Sequence, residues 1–103
     1  MKLLTDELRA RLPPLYSQES EQDPMVHAKF FMPGTAWTWY VTEGQEQDGD
    51  FMFFGFVIGL ENEFGYLLLS ELESVTTRLG LLVERDLAFR AGRLTDVVPT
   101  RDL

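Results

Sequence analysis

The chain has 103 residues, a net charge of −8 at pH 7 and no Cys. Its length suits one compact domain, and its 45% apolar and 25% charged residues exclude disorder throughout. Without Cys there is no disulfide or thiolate zinc site, and the single His, His27, excludes a site built from several His residues. No apolar run reaches the length of a membrane span and the N-terminus is too charged for a signal peptide, so we expect a cytoplasmic protein.

The N-terminal segment has the pattern of a short helix. Thr5 is a suitable N-cap, because its hydroxyl can accept a free backbone N–H, and two acidic residues follow in the first turn. Three leucines recur at a spacing of one helical turn and form an apolar stripe, namely Leu4, Leu8 and Leu12. Two consecutive prolines, Pro13-Pro14, end the predicted helix.

Four extended segments follow, and turn residues separate them. The predicted strands are residues 26–32, 36–43, 51–58 and 64–69. Asp48-Gly49 between the second and third is typical of a tight hairpin. The last two strands are apolar on both faces, which predicts that they are covered on both sides.

A capping-box pattern, Ser70-Glu71-Leu72-Glu73, predicts a short helix after the fourth strand that ends near Gly80. Residues 81–83 form either a fifth short strand or an extended return. We therefore expect an α+β domain over residues 1–90, with a four-stranded antiparallel meander packed against both helices. Residues 91–103 lack a periodic apolar pattern and are expected to be a loosely held tail.

The acidity lies in the middle third of the chain. Residues 41–75 carry eight acids and no Lys or Arg. The predicted hairpins place six of these acids at two opposite ends of the sheet, roughly 30 Å apart. Such a negative field repels nucleic acid phosphates and attracts basic protein surfaces. We therefore predict that a protein partner with a basic surface binds these acids: Glu43, Glu46, Asp48 and Asp50 at one end, and Glu61 and Glu63 at the other.

A divalent-metal or general-base site is the alternative for the same acids. Strand pairing across Pro33-Gly34 would bring His27 towards Glu43 and Asp50, and one His with two carboxylates can bind a metal ion. No motif spacing supports this set, and a solvated loop explains the acids more simply. We expect no metal and no cofactor.

The aromatic residues predict a second kind of contact. Two short helices are too small to cover both faces of the sheet, so part of the aromatic face is expected to be an interface with a partner or a second copy, around Phe54, Phe56 and Tyr66. Stacking of nucleic acid bases on these rings would need Lys or Arg nearby, and residues 30–77 have none.

Three stretches resemble a small bacterial domain family of unknown function that is encoded on plasmids, integrative conjugative elements and prophages. They are AKFFMPGTAWTWYVTEG (residues 28–44), FFGFVIGLENEFGYLLLSELE (residues 53–73) and GLLVERDLAF (residues 80–89). With the opening LLTDELRARLPPLYSQE, the likeness covers about residues 3–89. The resemblance implies an accessory protein of a mobile genetic element and brings no catalytic residues with it.

Two classes of function follow. The first is a non-enzymatic acidic protein that binds a host or element protein and counters a nucleic-acid-targeting defence system. The second is a metal-dependent hydrolase or nuclease, or a protein associated with single-stranded DNA, that acts in element transfer. The missing catalytic groups favour the first.

Overall fold

A computed structural model describes all residues from Met1 to Leu103 and shows an α+β fold. The helices are α1 (Asp6–Arg11), α2 (Leu69–Ser74) and α3 (Leu94–Val97), and a 3-10 turn spans Thr100–Asp102. The strands are β1 (Met25–Val26), β2 (Ala28–Phe31), β3 (Thr38–Gln47), β4 (Asp50–Ile58), β5 (Asn62–Leu68), β6 (Glu84–Arg85) and β7 (Gly92–Arg93). No helix is long and apolar enough to cross a membrane.

The central sheet is antiparallel and has five strands in the order β5-β4-β3-β2-β6, while β1 and β7 form a separate pair. The predicted meander is thus present. The fifth strand is Glu84–Arg85 and not residues 81–83, because Leu82 instead bridges to Thr76. The hairpin at Asp48-Gly49 is as predicted: both residues have positive φ, 52° and 80°.

Helix α1 packs on one face of the sheet and builds the larger core. The N–H of Leu8 donates to Thr5 Oγ1 at 3.1 Å, which confirms the predicted N-cap. The predicted leucine stripe, of which only Leu8 lies within α1, is buried in a 14-residue cluster together with the fully buried Phe30 and Phe53. The rings of these two aromatics meet edge to face with their centroids 5.4 Å apart.

The predicted capping box is wrong. Helix α2 begins at Leu69, so Ser70 lies inside its first turn and cannot be the N-cap. The cap comes from another element: Asp50, the first residue of β4, accepts from the Ser70 N–H at 3.3 Å and from the Ser70 hydroxyl. The helix ends at Ser74, and Gly80 serves a later turn, where its N–H donates to the Thr77 carbonyl.

The C-terminal segment packs on the opposite face of the sheet, which corrects the expectation of a loose tail. Strand β7 pairs with β1, and the N–H and hydroxyl of Thr95 donate to the Asp23 carboxylate at 3.0 and 2.7 Å. Leu94 and Val98 are 5% and 3% exposed. They complete a second core of five residues, whose other members are Val26, Tyr40 and Phe56.

Acid is expected to weaken the two carboxylate contacts. The Ser70 hydroxyl is the main cause that lowers the pKa of Asp50, and the Thr95 backbone N–H is the main cause that lowers the pKa of Asp23. A group with a lowered folded pKa stabilises the fold above its unfolded pKa, about 3.9, and loses that effect as pH falls through the folded pKa. Between about pH 5 and pH 2.5 the melting temperature should fall less steeply in Asp23→Asn/Asp50→Asn than in the wild type. The control is Asp48→Asn at an exposed turn, and equal slopes for the wild type and the double variant would contradict the prediction.

Candidate binding site: an acidic aromatic pocket

A β-bulge positions the first residue of the site. Strands β3 and β4 pair regularly up to Val41 and Gly55, and then Glu43 pairs with Phe54, so that Thr42 is an extra residue. Side chains alternate between the faces of a strand, and an unbroken strand would keep Glu43 on the face of Val41, towards the larger core. The bulge instead turns Glu43 to the face of Phe54.

The buried Glu43 carboxylate anchors the loop that follows α1. Its two oxygens accept the backbone N–H groups of Tyr16 at 2.8 Å and Gln18 at 2.7 Å. The Gln18 side chain continues this network, because its amide donates to the Thr42 carbonyl at 2.9 Å and accepts the Met25 N–H at 2.8 Å. Glu43 is 3% exposed, so a buried carboxylate takes part in fixing the loop onto the sheet.

The anchored loop brings Tyr16 over the sheet, where four rings adjoin one another. The Tyr16 and Tyr66 centroids are 6.3 Å apart, and the Phe54 ring lies 4.8 Å from Tyr66 and 5.7 Å from Phe64. Tyr16, Phe64 and Tyr66 are 61%, 44% and 51% exposed. These rings therefore line a site that is open to solvent and do not belong to the buried core.

These rings and three acids line a cavity of about 290 Å³, which we call the acidic aromatic pocket. No Lys or Arg lines it, so the negative charge of its carboxylates is not balanced locally. Its lining residues are Tyr16, Gln18, Glu19, Glu21, Pro24, Thr42, Glu43, Phe54, Phe64 and Tyr66.

The surroundings of Tyr66 favour the neutral form of its phenol. The pKa of Tyr66 is raised, first by its hydrogen bond with the Tyr16 side chain, then by burial, and further by the charges of Tyr16, Glu43 and Glu19. Each of these effects disfavours a phenolate. The pocket thus presents neutral ring faces beside carboxylates, which is the chemistry that attracts an organic cation such as an Arg or Lys side chain.

The structure separates the predicted acidic residues into different roles. Glu43 is buried in the pocket and is not a surface acid, because the bulge and its two hydrogen bonds hold it inside. Asp50 caps α2, and Glu46 is exposed and forms an ion pair with Arg9. Asp48 is exposed at the hairpin turn. Glu61 and Glu63 are exposed at the opposite end of the sheet, as the strand lengths predict.

The alternative metal set is not brought together. The backbone N–H of His27 donates to the Val41 carbonyl, and burial, followed by the charge of Arg11, lowers the pKa of its imidazole. Glu43 pairs with Phe54 of β4, whereas Asp50 is the first residue of that strand. The four residues from Asp50 to Phe54 correspond to about 13 Å along a strand. No group of three or more His, Cys, Asp or Glu side chains is arranged to hold a metal ion.

The three residues of the predicted apolar interface also lie in different places. Phe56 is 6% exposed because the C-terminal segment covers it, so it cannot be an interface residue. Phe54 and Tyr66 line the pocket. Tyr16 and the acids of its loop were missed, because long-range hydrogen bonds place that loop over the sheet, among them those that Glu43 accepts from Tyr16 and Gln18.

The chain thus combines an α+β fold with an acidic aromatic pocket on its sheet. The family model described as "Protein of unknown function (DUF2958)" matches residues 3–98, and the chain belongs to this family. The match extends past Phe89 and includes most of the docked C-terminal segment, which the resemblance in sequence had left outside. Comparison with curated proteins and with solved structures gives no match.

Proposed function

We propose that this protein is a non-enzymatic binding module that captures a basic segment of a partner protein in the acidic aromatic pocket. The observation that carries the proposal is the pocket itself, where four aromatic rings and three glutamates lie together without a Lys or Arg in the lining. A cation over the ring faces gains about 0.5–2 kcal/mol, depending on how far it is desolvated. The nearby carboxylates add Coulomb attraction.

The charge of the whole chain supports the same class of partner. Its net charge is −8, and no Lys or Arg occurs between residues 30 and 77. The resulting negative field accelerates the approach of a basic surface and opposes that of nucleic acid. We therefore expect the partner to be a protein and direct binding of DNA to be weak.

The resemblance to a family encoded on mobile elements suggests which kind of partner the protein binds. Proteins that act on nucleic acid present Lys and Arg to phosphates, and carboxylates on an acidic protein can occupy those same cations. In this form the protein is an accessory product of a mobile element that blocks the nucleic acid site of a host defence protein. The acidic charge of the chain and the chemistry of the pocket support this form of the proposal.

A labelled peptide in which Arg alternates with Thr tests the proposal by fluorescence anisotropy. We expect saturable binding that weakens as salt rises, and about fivefold weaker binding to Tyr66→Leu, which loses about 1 kcal/mol of cation–ring attraction. Glu19→Gln/Glu21→Gln should weaken binding as well. The matched control is Glu71→Gln/Glu73→Gln, which removes the same charge from exposed positions on α2.

Two results would contradict the proposal. One is equal weakening by the pocket pair and the α2 pair, because the pocket would then contribute nothing beyond net charge. The other is submicromolar binding of a labelled oligonucleotide, or its cleavage with added magnesium or manganese, which would favour the nuclease or strand-binding alternative.

A further inference from the structure

We infer that the basic segment binds as an extra β-strand along the free edge of β5, with alternate side chains directed into cavities on both faces of the sheet. This inference rests on the proposed function and specifies the conformation of the bound segment. It follows from the edge strand, from the cavities beside it and from their charge.

Strand β5 is the terminal strand of the five-stranded sheet, so one row of its backbone N–H and C=O groups has no strand partner. The strand is seven residues long and contains no Pro, Lys or Arg, the residues that commonly prevent pairing at an edge. At Gly65 the face of the strand is open, because no atom beyond the adjacent residues lies within 4 Å of where a Cβ would stand. The other edge, β6, has only two residues and offers little backbone for pairing.

The free edge runs between two cavities. The acidic aromatic pocket lies on one face, and on the other face a groove of about 530 Å³ is lined by Trp37, Trp39, Glu61 and Glu63 among others. Phe64 and Tyr66 of β5 border both. Because the side chains of a strand alternate between faces, a strand added beside β5 would direct successive residues to the pocket and the groove in turn.

The negative charge of the two cavities beside β5 indicates which kind of segment pairs with this edge. Neither cavity is lined by a Lys or Arg, whereas the pocket has three glutamates and the groove has two. A second copy of the chain would bring another net charge of −8 to this edge, including its own Glu61 and Glu63. A segment rich in Arg or Lys instead gains attraction on both faces, so we assign the edge to a basic strand of a partner.

Amide hydrogen exchange with the alternating Arg-Thr peptide tests the bound conformation. At a free peptide concentration of about ten times the Kd, the outward amides of residues 62–68 should exchange about tenfold more slowly, because bound molecules protect them. The β6 amides serve as the internal control and should not change. The same peptide with every backbone nitrogen methylated keeps its charges but cannot donate hydrogen bonds, and we expect its binding to be at least tenfold weaker.

The outcomes separate this inference from the proposed function. If the peptide binds, Tyr66→Leu weakens it and the methylated peptide binds equally well, then the pocket binds cations but the added strand is wrong. Unchanged hydrogen exchange of the β5 amides when the protein is saturated with peptide would also show that the peptide does not bind as an added strand. If sedimentation of the free protein shows a dimer with protected β5 amides, a second copy occupies the edge and the assignment to a basic partner is overturned. If no peptide binds, the proposed function itself fails.

Discussion

Deletion of residues 91–103 is expected to lower the melting temperature by about 15 °C or more. Leu94 and Val98 are buried against Tyr40 and Phe56, and removing the segment exposes that whole second core. The loss of one buried Leu alone costs about 2–5 kcal/mol. For a domain of this size 1 kcal/mol corresponds to about 4–8 °C, so even the lower end of the expected loss is easily measured by thermal denaturation.

Point variants distinguish loss of packing from loss of chain length. Leu94→Ala should reproduce much of the effect of the deletion, whereas Leu103→Ala, at a side chain that is 53% exposed, should change the melting temperature by no more than a few degrees. A deletion that melts within about 5 °C of the full chain would show that the segment does not stabilise the domain, since that shift corresponds to about 1 kcal/mol.

Local patterns predict the elements whose causes are themselves local. The Thr5 cap, the leucine stripe and the Asp48-Gly49 turn each depend on residues within one or two turns of chain, and all three are present. The apolar pattern on both faces of the third predicted strand matches β4, which has no exposed residue. The prediction that the fourth strand is covered on both sides is wrong, because β5 is the edge strand and its Phe64 and Tyr66 are exposed. Helix α1 covers one face of the sheet, and the C-terminal segment covers part of the other.

The site could not be predicted in the same way, because distant contacts determine it. Alternation along β3 assigns Glu43 to the face of Val41, and only the bulge turns it into the pocket. The cap of α2 comes from Asp50, twenty residues away, in preference to the local Ser70 pattern. Leu94 and Val98 are too few to show periodicity, yet both are buried in a segment that pairs through β7 with β1.

Replacement of Glu43 with Ala is expected to destabilise the fold by about 3 kcal/mol. The variant removes two charge-assisted hydrogen bonds and leaves the N–H groups of Tyr16 and Gln18 without their acceptor, and each lost partner of this kind costs about 1–3 kcal/mol. Glu43→Gln keeps the shape and one acceptor oxygen, so its loss should be about half as large. Urea denaturation gives both values.

The control for Glu43 is its neighbour in the same acidic stretch. Glu46 is exposed and its ion pair with Arg9 is a surface contact, so Glu46→Ala should change the free energy of unfolding by less than about 1 kcal/mol. Peptide binding should also be weakened more by Glu43→Ala than by Glu46→Ala. Of the two substitutions, only Glu43→Ala removes the acceptor that holds Tyr16 at the pocket. Equal, small effects of both substitutions on unfolding would mean that the loop holds its position without the buried carboxylate. The pocket would then owe its shape to the packing of the Tyr16 ring against Tyr66 rather than to the bulge in β3.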